Sequence, residues 1–190
     1  MVSRWFALAA LAFCAAVGVQ AAEVAGVKLD DRTKVGAADV VLNGAGIRKR
    51  AIFNVYAIGL YLPDKKPSGP DAIGSAGAKR VAIHMLRDVD AATFTEALVD
   101  GMKPNHDEAT MKALEPRIAE LSSIMNELKE ARKGMAVLLD WQPGAGTVVT
   151  VDGKPRGKPI AGEDFYRALL RIWVGERPVQ DDLKKALLGG

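Results

Sequence analysis

Residues 40–62 read VVLNGAGIRKRAIFNVYAIGLYL, and this stretch decides the fold. Its second half, Ala51 to Leu62, is β-branched and aromatic and stops at Pro63-Asp64, the composition and punctuation of a strand. Alternation places Tyr56, Ile58, Leu60 and Leu62 on one strand face and Val55, Ala57, Gly59 and Tyr61 on the other. Its first half, Val40 to Ile47, is a strand interrupted by Gly44 and Gly46, glycines of the kind that mark a bulge or a close backbone approach. The two halves read as a hairpin with Arg48-Lys49-Arg50 near its turn.

Working outward, Glu23 to Leu29 predicts a short edge strand, and residues 63–79 a loop with a short helix over Pro70 to Ser75. Lys79 to Leu86 returns to strand character. The period then changes: Asp90 suits an N-cap, and Phe94, Leu98 and Met102 share a helical face. Asn105 is the next predicted cap, before a helical run from Met111 to Leu128 that Pro116 should divide or kink and Gly134 should stop. Met135 to Trp141 and Gly146 to Val151 are strands, Asp152-Gly153 is a hairpin turn, and Arg156 to Ile160 is its partner strand. Phe165, Leu169, Ile172 and Trp173 make one face of a helix ended by Gly175, and Val179 to Leu188 forms a last helix. Strands and helices come in blocks. That predicts an α+β fold, a large antiparallel sheet with a layer of helices on one face, and argues against a Rossmann fold or a parallel barrel.

The N-terminus carries a different signal. Arg4 precedes an uncharged run, Phe6 to Val19, shorter than the roughly 20 residues a spanning helix needs. Val19-Gln20-Ala21 then offers small residues at both positions a signal peptidase reads. The expectation is a signal peptide over residues 1–21, cleavage near Ala21/Ala22, one domain over residues 22–190, and a periplasmic protein with no stable membrane span after cleavage. Cleavage would remove Cys14, the one cysteine in the chain, and with it disulfide and thiolate chemistry. A formal charge of +3 with dispersed basic residues gives no footprint for nucleic acid. His84 and His106 have no metal-ligand spacing, and no cofactor site is expected. Asn43-Gly44-Ala45-Gly46 enters a strand and lacks GxGxxG spacing, so it is not a nucleotide loop. Asp140 is expected to brace the turn that follows it, and Asp164 to sit in the first turn of a helix, where its charge is favoured.

The run from Gly44 to Pro63, GAGIRKRAIFNVYAIGLYLP, also carries a resemblance. With Asp140 to Gly146, Asp164-Phe165, Ile172-Trp173, Gly175, Pro178 and Leu183 to Gly189, it resembles the chalcone isomerase-like superfamily, in its bacterial exported branch, over roughly residues 23–189. The resemblance implies an open-faced β-sandwich with a ligand cleft between sheet and helices. Function divides within it: plant members convert a chalcone into a flavanone, and another branch binds fatty acids without catalysis. Fold alone does not choose between them.

Carried over residue by residue, Arg48 matches the arginine that stabilises an oxyanion in the plant enzymes and holds a carboxylate in the fatty-acid binders. Its planar fork suits either anion. Tyr56 stands where the plant enzymes have a threonine. Phe94 and Gly101 stand where they have a catalytic tyrosine and an asparagine, which argues against a true chalcone isomerase. The expected site is therefore a ligand-binding one, with no catalytic and no metal residues. Arg48 and Tyr56 hold a polar head, and Phe94, Leu98 and Met102 line the apolar part. The expected ligand is a small apolar or amphipathic acid, fatty-acid-like, bound by a non-catalytic protein. An envelope interaction or accessory protein without a ligand, and an intramolecular lyase or isomerase acting on a small phenolic or unsaturated substrate, stay open as alternatives. The oligomeric state is open as well.

Overall fold

The computed structural model describes residues 21–190. The signal-peptide reading, apart from Ala21, lies outside the described residues. The hairpin read from residues 40–62 is the centre of the fold. Strand β4 (Ala38–Arg50) pairs antiparallel with β5 (Phe53–Leu62). The sheet extends on one side to β3 (Arg32–Val35) and on the other through β6 (Lys79–Met85), β9 (Ala136–Gln142), β10 (Gly146–Val151) and β11 (Lys154–Ile160). All seven strands run antiparallel to their neighbours, in the order β11-β10-β9-β6-β5-β4-β3. A minor two-stranded pair joins β7 (Val89–Asp90) with β8 (Glu130–Ala131) antiparallel.

Alternation sets the two faces. Tyr56, Ile58, Leu60 and Leu62 lie in the main core, with Val81 and Ile83 of β6 beside them. Five helices cover that face: α1 (Gly69–Gly74), α2 (Ala91–Met102), α3 (Glu108–Asn126), α4 (Glu163–Val174) and α5 (Asp181–Leu187). Phe165, Tyr166, Leu169, Ile172 and Trp173 of α4 are all buried here, each contributing roughly 1.5–3 kcal/mol by leaving water. Tyr61, on the opposite face of β5, joins a smaller cluster with Leu29, Val40 and Leu42.

Several local expectations needed correction. Residues 23–29 are not one edge strand. A turn at Ala25-Gly26, both at positive φ, folds them into a hairpin of β1 (Ala21–Val24) and β2 (Val27–Asp30), which covers the smaller cluster. Asn105 does not cap α3. It ends a 3-10 turn, Lys103–Asn105, and the cap is Asp107, whose carboxylate accepts from Thr110 N at 2.7 Å. Pro116 does not divide α3, which runs on through it. Proline removes one backbone donor, and the Lys112 carbonyl it leaves unpaired is on the exposed side of the helix. Asp140 does not brace a turn. It lies directly across the ladder from Arg80, which grips it with two bonds of 2.7 and 2.6 Å. Asp164 is in the first turn of α4 as expected and also pairs with Arg117 of α3 at 2.6 Å.

The glycines of β4 explain how the last helix is seated. A side-chain carbon at Gly44 would fall onto Ala186 O and lie 2.7 Å from Leu187 O, and one at Gly46 would be 2.7 Å from Leu183 Cδ1. Helix α5 therefore crosses directly over the β4 backbone, a close approach that only glycine permits.

Candidate functional site

Arg48 and Tyr56 are paired across the β4–β5 ladder, so both project from the helix-covered side at one end of the sheet. Tyr56 is buried, and its hydroxyl oxygen accepts a hydrogen bond of 2.9 Å from Trp173 Nε1 of α4. Its ring meets Phe94 of α2 edge-on, with centroids 6.1 Å apart and planes at 89°, a geometry favoured by the ring quadrupoles. Burial pushes the Tyr56 hydroxyl above its ordinary pKa of 10.0, against smaller opposing effects from the Trp173 hydrogen bond and the Arg48 charge. It is protonated at neutral pH. Arg48 and Trp173 have only donors to offer, so neither can accept the Tyr56 proton.

Arg48 is half-buried. One guanidinium nitrogen donates to Lys49 O and lies 3.3 Å from Gln180 Oε1. Gln180 holds this part of β4 much as a neighbouring strand would. Its Oε1 accepts from Lys49 N at 2.7 Å, and its Nε2 donates to Ile47 O at 3.1 Å. Its seat just before α5 makes it the positioning group for Arg48. Arg48 lines a depression of about 410 Å³ between the end of β4, the outer face of α2 and residues 177–179. Arg50 and Arg177 also line it, with Glu96 and Asp100 opposite. Asp100 is paired with Lys103 at 2.7 Å, which leaves the arginines as the dominant charge.

The other three predicted residues sit elsewhere. Phe94, Leu98 and Met102 are 3%, 4% and 1% exposed and belong to the main core. None of them lines the depression beside Arg48. Tyr56 does not line it either: it is a core residue like them, in edge-on contact with Phe94. Gly101 shows why no asparagine stands there: a side-chain carbon would lie 2.8 Å from Ile172 Cγ2 and 2.9 Å from Val179 Cγ1. Helix α2 packs against α4 too closely at that point for an amide. Sequence reasoning missed Gln180, Arg50, Arg177 and the role of Trp173. Trp173 was legible as a core position on α4 but not as the partner of Tyr56. The other three have no periodic or motif signal, and the fold alone gathers them.

Among the described residues, no cluster of three or more His, Cys, Asp or Glu could hold a metal ion, and no helix is long and apolar enough to cross a membrane.

This architecture and site define a class. The family model described as chalcone isomerase-like matches residues 21–189, and the chain belongs to that family. Among solved structures, it is similar to the fatty-acid binding protein AtFAP1 of Arabidopsis thaliana, with a TM-score of 0.67 over 86% of this chain and 92% of that one. Identity to AtFAP1 is 15%, so the likeness is one of fold. A search of curated proteins finds no match by sequence.

Proposed function

We propose that this protein is a non-catalytic binder of a small amphipathic acid, fatty-acid-like, whose carboxylate is held by Arg48. The observation that carries this reading is the Arg48–Tyr56 pair. A guanidinium at the mouth of a depression stands across the ladder from a protonated hydroxyl whose proton neither of its polar neighbours can accept. A carboxylate entering there accepts from Arg48, a charge-assisted bond of the strong kind, and reaches the buried Tyr56 hydroxyl only if the core above it opens. Phe94, Leu98 and Met102 belong to the core in which Tyr56 is buried. The fold shared with a fatty-acid binding protein supports the same reading. The lyase alternative finds no hydroxyl at Phe94 and no room for an amide at Gly101. The reading also includes export: a signal peptide cleaved near Ala21/Ala22 and residence in the periplasm. Intact-mass measurement of the protein from a periplasmic fraction tests that part.

The core between α2 and the sheet is filled by side chains, so an acyl tail enters only if α2 moves away from the sheet. Palmitic acid titrated into the delipidated protein should bind and slow amide exchange in α2. Arg48→Met should weaken binding about tenfold or more, the worth of one charge-assisted hydrogen-bonded contact. Equal affinity in the parent and Arg48→Met, or no binding with no acid found by native mass spectrometry, sinks the proposal.

A further inference from the structure

The tip of the β4–β5 hairpin is built unlike the rest of the surface. Among the described residues, the exposed large hydrophobic side chains are Ile52 and Phe53, at 89% and 52% exposure, and they are adjacent. Arg50 pairs with Phe53, so Ala51 and Ile52 form a two-residue turn, with Ala51 in the left-handed region at φ +51°. Such turns favour Gly, Asn or Asp. An isoleucine there does nothing for the turn and buries nothing in this fold. Phe53 is not loose: the Arg87 guanidinium lies 4.6 Å from its ring centroid, a cation–π contact that fixes the ring at the end of the sheet.

The surroundings of the tip have a definite sign. Strand registers bring the 86–88, 132–135 and 152–154 loops to the same end of the sheet as the tip. Lys49, Arg50, Arg87, Arg132, Lys133 and Lys154 are all exposed there. The acidic groups among them are fewer: Asp88, Asp152 and Glu130, with Asp182 beside Lys49. Asp88 accepts from Lys133 N at 2.7 Å, Asp152 from Ala136 N at 2.8 Å, and Glu130 pairs with Arg132 at 3.2 Å.

We infer that this tip docks on an anionic lipid bilayer, with Ile52 and Phe53 entering the headgroup–acyl boundary and the basic groups facing lipid phosphates. An apolar point of two side chains ringed by positive charge matches the two forces that hold peripheral proteins to membranes, apolar insertion and attraction to anionic lipid. A protein partner would need a broad surface, and this patch is a point. Arg50 belongs both to the tip and to the depression beside Arg48, so docking sets the mouth of that depression against the lipid surface. The inference stands on the tip alone, and vesicle binding is measured without added ligand.

The test is co-sedimentation with phosphatidylcholine vesicles and with phosphatidylcholine–phosphatidylglycerol vesicles. Parent and variants carry the same N-terminus, so differences between them report the tip. The parent should bind the mixed vesicles more than the neutral ones, and added salt should weaken binding. The double variant Ile52→Ser, Phe53→Ser should lose about tenfold in vesicle affinity with its circular dichroism unchanged, since most of the inserted apolar area is gone. Arg50→Glu with Arg87→Glu should abolish the preference for anionic lipid. In Phe53→Trp, tryptophan emission should shift to the blue on vesicles. Equal vesicle binding by the parent and the double serine variant overturns the inference. So does a parent dimer in sedimentation equilibrium that the serine variant abolishes, because the tip would then be covered by a second copy.

Discussion

Asn43 and Arg48 stand at two irregularities of one strand pair. The β4–β5 register shifts once between Leu42 and Gly44 and again between Arg48 and Lys49. At the first shift, every polar atom of the side chain is paired with backbone. Asn43 Nδ2 donates to Leu187 O at 2.7 Å and Lys66 O at 3.0 Å, and its Oδ1 accepts from Lys66 N at 2.6 Å. At the second, Arg48 spends one nitrogen on Lys49 O and Gln180 and turns the rest of its fork toward an open depression. The first shift leaves Asn43 of β4 as the extra residue, and the second, beside Arg48, leaves Val55 of β5. The first fastens α5 to the sheet, and the second leaves donors available. A polar side chain whose hydrogen-bonding capacity is used up inside the fold is structural, and one with donors left over at an opening is where a ligand can act.

The contrast can be broken at the fastened end first. Gly44→Val drives a side chain into Ala186 O and Leu187 O, both backbone atoms of α5. The expected loss is on the order of 4 kcal/mol in urea unfolding, or failure to fold. Asn43→Ala should cost about 2–3 kcal/mol, because it leaves buried backbone groups without partners. Tyr56→Phe deprives the buried Trp173 indole of its acceptor and should cost about 1–2 kcal/mol. Arg48→Met should change stability by no more than about 0.5 kcal/mol while removing the acid affinity proposed above. If Arg48→Met destabilises as much as Asn43→Ala, the distinction between the two bulges fails.

The smallest effect sharpens the comparison through pH. His84 pairs with Ala57, itself opposite Ile47, so it lies toward the Arg48 end. Burial lowers its pKa below the ordinary 6.5, and the Asp152 charge only partly opposes this. The unfolded chain then takes the proton more readily than the folded one. The contribution of His84 is fully present above about pH 6.5 and is lost as pH falls toward the depressed folded value. His106, also lowered by burial, acts with the same sign. The urea midpoint should fall on going from about pH 7 to about pH 5, and His84→Gln should flatten part of that slope. An unchanged slope in His84→Gln would show that the proton uptake resides elsewhere.

Much of the fold was legible because it is written in period. The alternation of Tyr56, Ile58, Leu60 and Leu62 gave the core face of β5, and the spacing of Phe94, Leu98 and Met102 gave the inner face of α2. Gly44 and Gly46 announced a close approach, but not that α5 was the element approaching. Two of the misplaced features depended on partners distant in the chain, while the β1–β2 hairpin turned on the local conformation of Ala25-Gly26. Asp140 looked like a turn residue until Arg80 proved to be its ladder neighbour, and Asn105 looked like a cap until Asp107 took that role. Instead Asn105 Nδ2 donates to Arg177 O at 2.8 Å, and its Oδ1 accepts from Arg177 N at 2.9 Å.

The sequence by itself determined the antiparallel sheet with its helical layer, the presence of Arg48 and Tyr56 on one hairpin, and the absence of a hydroxyl at Phe94. Local periodicity and residue chemistry suffice for these, since each is set within a few positions of the chain. Only the tertiary structure decided that Gln180 would hold Arg48, that Trp173 would occupy the Tyr56 oxygen, and that Arg177 would join the depression. Those partners come from α4 and the segment between α4 and α5, more than a hundred positions along the chain. No local preference encodes them, and they meet only because α4 and α5 bury their apolar faces on the sheet.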